Sequence, residues 1–206
     1  MRTHPWWFPE RGVLLLEGRK LMTINEKLTV LAKIAEALNH EHITWGVGAS
    51  LLLYFHQITD DFHDIDLMTT EEDVDKLKKI LEGMGTLQFP NPNAQYHSRH
   101  FFEFVIDGVD IDVMEGFVIV KDGKEYDCSF SAGSVEKHIT FNGQDIPLQS
   151  VADWRRYYEL MGRNAKVEMI DMHEAKTVCQ PTYQWNVPRL KCNPSLSRIC
   201  ERSSLD

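Results

Sequence analysis

Asp64-Ile65-Asp66 places two carboxylates two residues apart inside a run, "DIDLM", that otherwise reads as a buried strand. Side chains two apart on a strand face the same way, roughly 6.5–7 Å apart along the backbone. Ile65 and Leu67 then point into a core, and Asp64 and Asp66 point together to the opposite face. Two like charges held this close raise each other's pKa unless something positive sits between them. A divalent cation meets that need, and magnesium takes oxygen ligands, commonly one or two carboxylates together with substrate phosphates. The plain alternative is a solvated strand face with two harmless acids.

Two further features change the weight of that pair. Gly46-Val47-Gly48-Ala49-Ser50 joins one apolar run to the next. Small residues let a backbone come close to a ligand, free N–H groups at a helix start attract phosphate oxygens, and Ser50 adds a hydroxyl. A tight turn whose glycines serve packing would look the same. Asp110-Ile111-Asp112 then repeats the Asp-x-Asp pattern. If that strand lies beside the first, a third carboxylate falls within cross-strand reach. Three acids on adjacent strands could hold two metal ions roughly 3.5–4 Å apart, the arrangement for in-line phosphoryl-type transfer.

The elements that must position these residues follow from pattern. Thr23 and Glu26 form a capping box ahead of an apolar stripe, Ile24, Leu28, Leu31, Ile34, Ala35 and Leu38, which predicts a helix over 23–40. A short strand is expected over 43–47, a helix over 49–56 and a strand over 64–68. Thr70 is expected to open a helix with Val74, Leu77, Leu81 and Met84 on one face, closed by Gly85. After a loop, "FPNPNAQ", the runs "RHFFEFVI" and "VDIDVMEGFVIV" flank Asp107-Gly108, a strong hairpin signal. Asp122-Gly123 and Asn142-Gly143 mark two more turns, and Ser150 caps a last helical region to about residue 175. This order predicts an α/β (α+β) fold with a mixed sheet and flanking helices.

The stretch over 43–117 resembles the nucleotidyltransferase superfamily related to DNA polymerase β. The resemblance is strongest to its small bacterial members, the aminoglycoside and lincosamide nucleotidyltransferases, with weaker support through "IPLQSVADWRRYYELMGRNAK". That family's pattern is a Gly-Gly or Gly-Ser turn opening a helix, Asp-x-Asp some ten to sixteen residues on, and a third acid on a following strand. Here Gly48-Ala49-Ser50, Asp64-Ile65-Asp66 and "GVDIDVM" occupy those places. The resemblance implies a nucleotidyltransferase fold and transfer of a nucleoside monophosphate from ATP or GTP to a hydroxyl acceptor, with release of pyrophosphate. It implies Mg2+, in a two-ion site, on Asp64, Asp66 and Asp112, with Asp110 the second choice for the third acid. The third acid would also help deprotonate the acceptor. Gly48, Ala49 and Ser50 would lie at the triphosphate, and Arg163 and Lys166 would offer it positive charge. The acceptor would be a small molecule such as an aminoglycoside or lincosamide antibiotic, or a macromolecule. A non-catalytic module of the same fold, binding a nucleotide or a partner as in a toxin–antitoxin pair, is the alternative. This chain departs from the pattern at Ala49, where relatives carry glycine. It also has Asp60 and Asp61, where many relatives carry an Arg before the Asp-x-Asp.

Other residues read blandly. His63-Asp64 lacks the further histidines that a metal phosphohydrolase needs. His97, Arg99 and His100 suit a surface cluster, and Trp154, Tyr157, Tyr158 and Leu160 a packing stripe. The chain has 206 residues, which suits one domain or one domain with a small appendage, and is 43% hydrophobic and 26% charged, an ordinary globular balance. A net charge of -9 argues against duplex DNA and anionic membranes as partners. No apolar run is long enough to span a bilayer. Cys128, Cys179, Cys192 and Cys200 show no C-x-x-C spacing, which suits a reducing cytoplasm. Residues 1–21 lack any period and are expected to be an extension, with Met22 as the natural start and Glu17-Gly18-Arg19-Lys20 as a translated purine-rich ribosome-binding site. The domain is expected over 22–176. From 177 onward the chain turns basic and holds Pro181, Pro188 and Pro194, as a poorly ordered tail would.

Overall fold

The computed structural model describes residues 22–90 and 94–178. The expected extension over 1–21, Cys179, Cys192, Cys200 and the tail beyond 178 lie outside the described residues. In chain order the elements are α1 (Ile24–His40), β1 (Trp45–Val47), α2 (Ala49–Phe55), β2 (Ile65–Thr69), α3 (Val74–Glu82), β3 (Thr86–Leu87), β4 (His100–Ile106), β5 (Val109–Glu115), β6 (Val118–Lys121), β7 (Lys124–Asp127), β8 (Val135–Phe141), β9 (Gln144–Gln149), α4 (Val151–Leu160) and α5 (Asn164–Val178). Seven strands form one mixed sheet in the order β3-β4-β5-β2-β1-β9-β8, and β6 and β7 form a separate ribbon. The β2–β5 and β1–β9 pairs are parallel; the other pairs in the large sheet are antiparallel. The fold is the expected mixed α/β architecture. Among the described residues no helix is long and apolar enough to cross a membrane.

Local sequence accounts for most of this. Thr23 Oγ1 accepts from the Glu26 N–H at 3.3 Å while Glu26 Oε2 accepts from the Thr23 N–H at 2.8 Å, closing the capping box of α1. The stripe below it, Leu28, Leu31, Ile34, Ala35 and Leu38, is buried in the core. All three predicted two-residue turns have both residues at positive φ, the I′ geometry that matches strand twist: Asp107 and Gly108 at 48° and 83°, Asp122 and Gly123 at 52° and 73°, Asn142 and Gly143 at 49° and 77°. Ser150 caps α4 as expected, its Oγ accepting from the Asp153 N–H.

The fold departs from expectation where tertiary contacts take over. The helix expected from Thr70 starts at Val74, because residues 71–73 form a turn and Asp73 turns its carboxylate to the Thr44 N–H at 2.8 Å. Gly83, not Gly85, caps that helix; Gly85 is held instead by contact with β4, where an added Cβ would meet the Val105 carbonyl at 2.4 Å. The run "VDIDVMEGFVIV" breaks at Gly116, whose φ of 57° turns the chain out of the large sheet into the ribbon. The final helical region breaks at Gly162, at φ 73°, into α4 and α5.

Candidate active site

The site lies where β2 and β5 run parallel at the centre of the sheet. Asp66 pairs with Asp112 in register, and Ile65 with Ile111 and Leu67 with Val113 fill the opposite face of both strands. Those four apolar residues are fully buried, which pins the register and turns the acids to the other side. Asp64 precedes β2 by one residue and joins them. One carboxylate oxygen from each of Asp64, Asp66 and Asp112 lies within 4.8 Å of the other two. Asp66 is 5% exposed and Asp112 2%, and Asp64 is half-buried. Asp110 is on the same face of β5 but is not part of this group; its charge bears on both Asp64 and Asp112. Glu103, directly opposite Asp112 on β4, adds another acid to that face.

Electrostatically the triad is only partly compensated. Burial pushes the Asp66 carboxyl well above its ordinary range, the Asp64 charge adds to the rise, and Arg163 and Lys166 oppose it. Burial likewise raises Asp112 well above its usual range, with Asp66, Asp64, Glu103 and Asp110 adding to it. Asp64 is raised mainly by burial. The Asp112 Oδ2 atom is buried without a hydrogen-bond partner. Such a group holds protons until a cation replaces them. Three converging carboxylates with an unsatisfied buried oxygen fit a hard divalent ion.

The small-residue turn has a different character from an open phosphate cradle. The Gly48 N–H donates to the Asp66 carbonyl at 3.0 Å, so it is occupied by the sheet. A Cβ at Gly48 would meet Trp154 Cζ2 at 2.3 Å, so this glycine is required by packing. Gly46 is similarly tight against Phe130, at 2.9 Å. Ala49 is buried and sits at φ 46°, in the left-handed region that favours glycine. Ser50 is half-buried in the first turn of α2, and the Gly48–Asp66 bond ties the start of that helix to β2.

Arg163 and Lys166 lie at the α4–α5 junction. Both bear on Asp64 and Asp66, and burial together with Arg163 lowers the Lys166 ammonium pKa. The Arg163 guanidinium lies over the Tyr158 ring, 5.7 Å from its centroid. Trp154, Tyr157 and Tyr158 pack as a stripe, with Trp154 against Phe117 at 6.5 Å. Tyr158 does more than the stripe required: its hydroxyl is buried without a partner, and Asp66, Arg163 and Asp64 are the charges bearing on it. Periodicity marks the ring as core and carries no signal for where the hydroxyl goes.

The His97, Arg99 and His100 cluster serves a separate network. Arg99 and His100 reach the two oxygens of buried Glu115 at 3.1 and 2.9 Å, Arg99 also reaches Glu71 at 2.6 Å, and His97 pairs with Glu125 at 2.6 Å. Glu115 is three residues beyond Asp112, so it leaves β5 on the other face.

The sequence profile of the aminoglycoside-2''-adenylyltransferase family matches residues 30–177, well over half of the chain. The matched stretch contains the three converging carboxylates and the Arg163–Lys166 segment. Among solved structures, the chain is similar to a protein from Thermotoga maritima described as a candidate nucleotidyltransferase, at 26% identity and a TM-score of 0.58, covering 75% of this chain and 96% of that one. It shares the fold of ANT(2'')-Ia, solved in complex with adenylyl-2''-tobramycin, at 16% identity and a TM-score of 0.50, covering 73% of this chain and 91% of that one. No curated protein matches the chain by sequence.

Proposed function

The chain belongs to the aminoglycoside-2''-adenylyltransferase family, and from that premise we propose that this nucleotidyltransferase moves a nucleoside monophosphate from ATP or GTP to a hydroxyl of a small acceptor, releasing pyrophosphate. The observation that carries this reading is the meeting of Asp64, Asp66 and Asp112, from two strands in register, with oxygens within 4.8 Å of one another. We assign 22–176 as the nucleotidyltransferase domain, with 1–21 and 177–206 as appendages, and the cytoplasm as its compartment.

Asp64, Asp66 and Asp112 would hold Mg2+, in a two-ion site. Bound there, the ions would offset the charge of the triphosphate and sharpen the acceptor hydroxyl as a nucleophile. Asp112, the most crowded by other acids, is the group to take the proton from that hydroxyl. The charges of Arg163 and Lys166 bear on the acids, and these residues would supply the positive charge that a triphosphate needs. With the Gly48 N–H occupied, contact from the turn falls to Ser50 and the first-turn N–H groups of α2. Asp110 and Glu103 extend the acidic face and suit a cationic, polyhydroxylated acceptor of the aminoglycoside kind, a reaction that would inactivate an antibiotic.

The test is magnesium-dependent pyrophosphate release from ATP and GTP over a panel of aminoglycosides and lincosamides. Release should appear with at least one acceptor, vanish in EDTA, and vanish in Asp66→Asn while the variant keeps its circular dichroism spectrum. An Asp66→Asn protein that turns over normally removes the triad from the reaction. Nucleotide binding without release for any acceptor would favour the non-catalytic alternative, for which the packed Gly48 and the left-handed Ala49 argue.

A further inference from the structure

Lys27, in the first turn of α1, reaches the loop that delivers Asp64. Its side chain is only 12% exposed. The ammonium donates to the Phe62 carbonyl, sits 5.0 Å from the centroid of the Phe62 ring and lies 3.9 Å from Asp61 Oδ1. Phe62 is itself buried and packs on Tyr54 of α2 at 5.2 Å. Within the loop the bonds are short-range: the Thr59 hydroxyl donates to the Asp61 carbonyl at 3.2 Å, and the Phe62 N–H to Asp61 Oδ1 at 2.8 Å. Phe62 is thus a point at which the loop is tied to α1 and α2.

Asp64 stands two residues past that tie and one residue before β2. The ladder fixes Asp66 and Asp112 by register, whereas Asp64 depends on the loop for its place. A buried ammonium is costly unless it is hydrogen-bonded and paired, and a methionine would fill the same space without that cost. What the cation adds is a fixed backbone carbonyl two residues, at most about 7 Å of chain, from a carboxylate of the triad.

We propose that Lys27 is a positioning residue: by holding the Phe62 carbonyl it keeps Asp64 beside Asp66 and Asp112, so that three carboxylates rather than two meet a divalent cation. The proposal rests on the reading of the triad as an ion site. Loss of a group that orients a metal ligand typically lowers affinity by about 10–100-fold, and Lys27, acting through the backbone, belongs at the lower end.

The experiment compares wild type with Lys27→Met, which keeps an unbranched stem over Phe62 and removes the ammonium. Amide hydrogen exchange in EDTA reads the loop, and Mn2+ titration by calorimetry reads the site. In Lys27→Met the Ile58 and Phe62 amides should exchange at least tenfold faster, while those of Leu31, Ile34 and Leu38 keep their wild-type protection, and Mn2+ should bind about tenfold more weakly. Three results overturn the proposal: a loop as protected as in wild type, Mn2+ affinity equal to that of wild type, or α1 amides that lose as much protection as the loop, which would make Lys27 a support of the whole fold. A wild type that binds no Mn2+ removes the ion site itself and this proposal with it, an outcome distinct from equal, measurable binding by both proteins.

Discussion

Asp112→Asn should make the metal-free protein more stable. Asp66 and Asp112 pair on adjacent parallel strands, 5% and 2% exposed, with oxygens within 4.8 Å. Two full charges at that separation repel by about 3–4 kcal/mol at an effective dielectric of about 20. Either carboxyl can escape by keeping a proton, and its raised pKa records that choice. The native state therefore binds more protons than the unfolded chain over the interval between the ordinary Asp pKa, about 3.9, and the raised native values. Stability is greatest where the carboxyls are neutral in both states and falls as pH rises through that interval. An asparagine keeps the shape, carries no charge and offers Asp66 an N–H donor. The expected gain near pH 7 in EDTA is about 1–3 kcal/mol, the repulsion less what protonation already relieves. For a domain of this size each kcal/mol moves Tm by about 2–4 °C. The gain should shrink toward zero near pH 4, where wild type keeps its protons. Added Mg2+ should raise Tm in wild type and leave the variant nearly unmoved. Scanning calorimetry from pH 4 to 8 measures all of this. If Asp112→Asn melts below wild type at pH 7 in EDTA, then attraction, not repulsion, dominates around Asp112 and the reasoning fails.

The turn before α2 yields two predictions of opposite sign. Gly48→Ala puts a methyl 2.3 Å from Trp154 Cζ2, an overpacking that should cost about 1–3 kcal/mol and lower the urea midpoint, with partial recovery when Trp154→Leu is added; a midpoint equal to wild type would show that the packing is loose there. Ala49→Gly relieves a left-handed alanine at φ 46° and should stabilise the protein by about 0.5–1 kcal/mol, raising the midpoint, and a lowered midpoint would show that helix propensity outweighs the strain.

Much of this protein was legible in order along the chain. The capping box at Thr23 and Glu26, the stripe of α1 and the three positive-φ turns are local signals, because each is set by residues within a few positions of one another. The period of two in "DIDLM" and "VDIDVM" was enough to put the acids on one face and the aliphatics on the other. The local signals were weaker where a distant segment competed: Asp73 left its helix for Thr44, Gly85 answered to β4, and Gly116 turned the chain into a second sheet.

The residue types at the site belong to the sequence alone: paired aspartates on two strands, a small-residue turn, and two cations in a later, mostly helical segment. Which strand lies beside which is not written in either strand. That Asp66 meets Asp112, and that Asp110 stays outside the group, is decided by the parallel β2–β5 register, which the buried aliphatics on the far face lock in place. Only the assembled core could commit Gly48 to Trp154 and the Gly48 N–H to the Asp66 carbonyl, because each of those contacts joins elements apart in the chain and depends on where burial, not local propensity, brings them together.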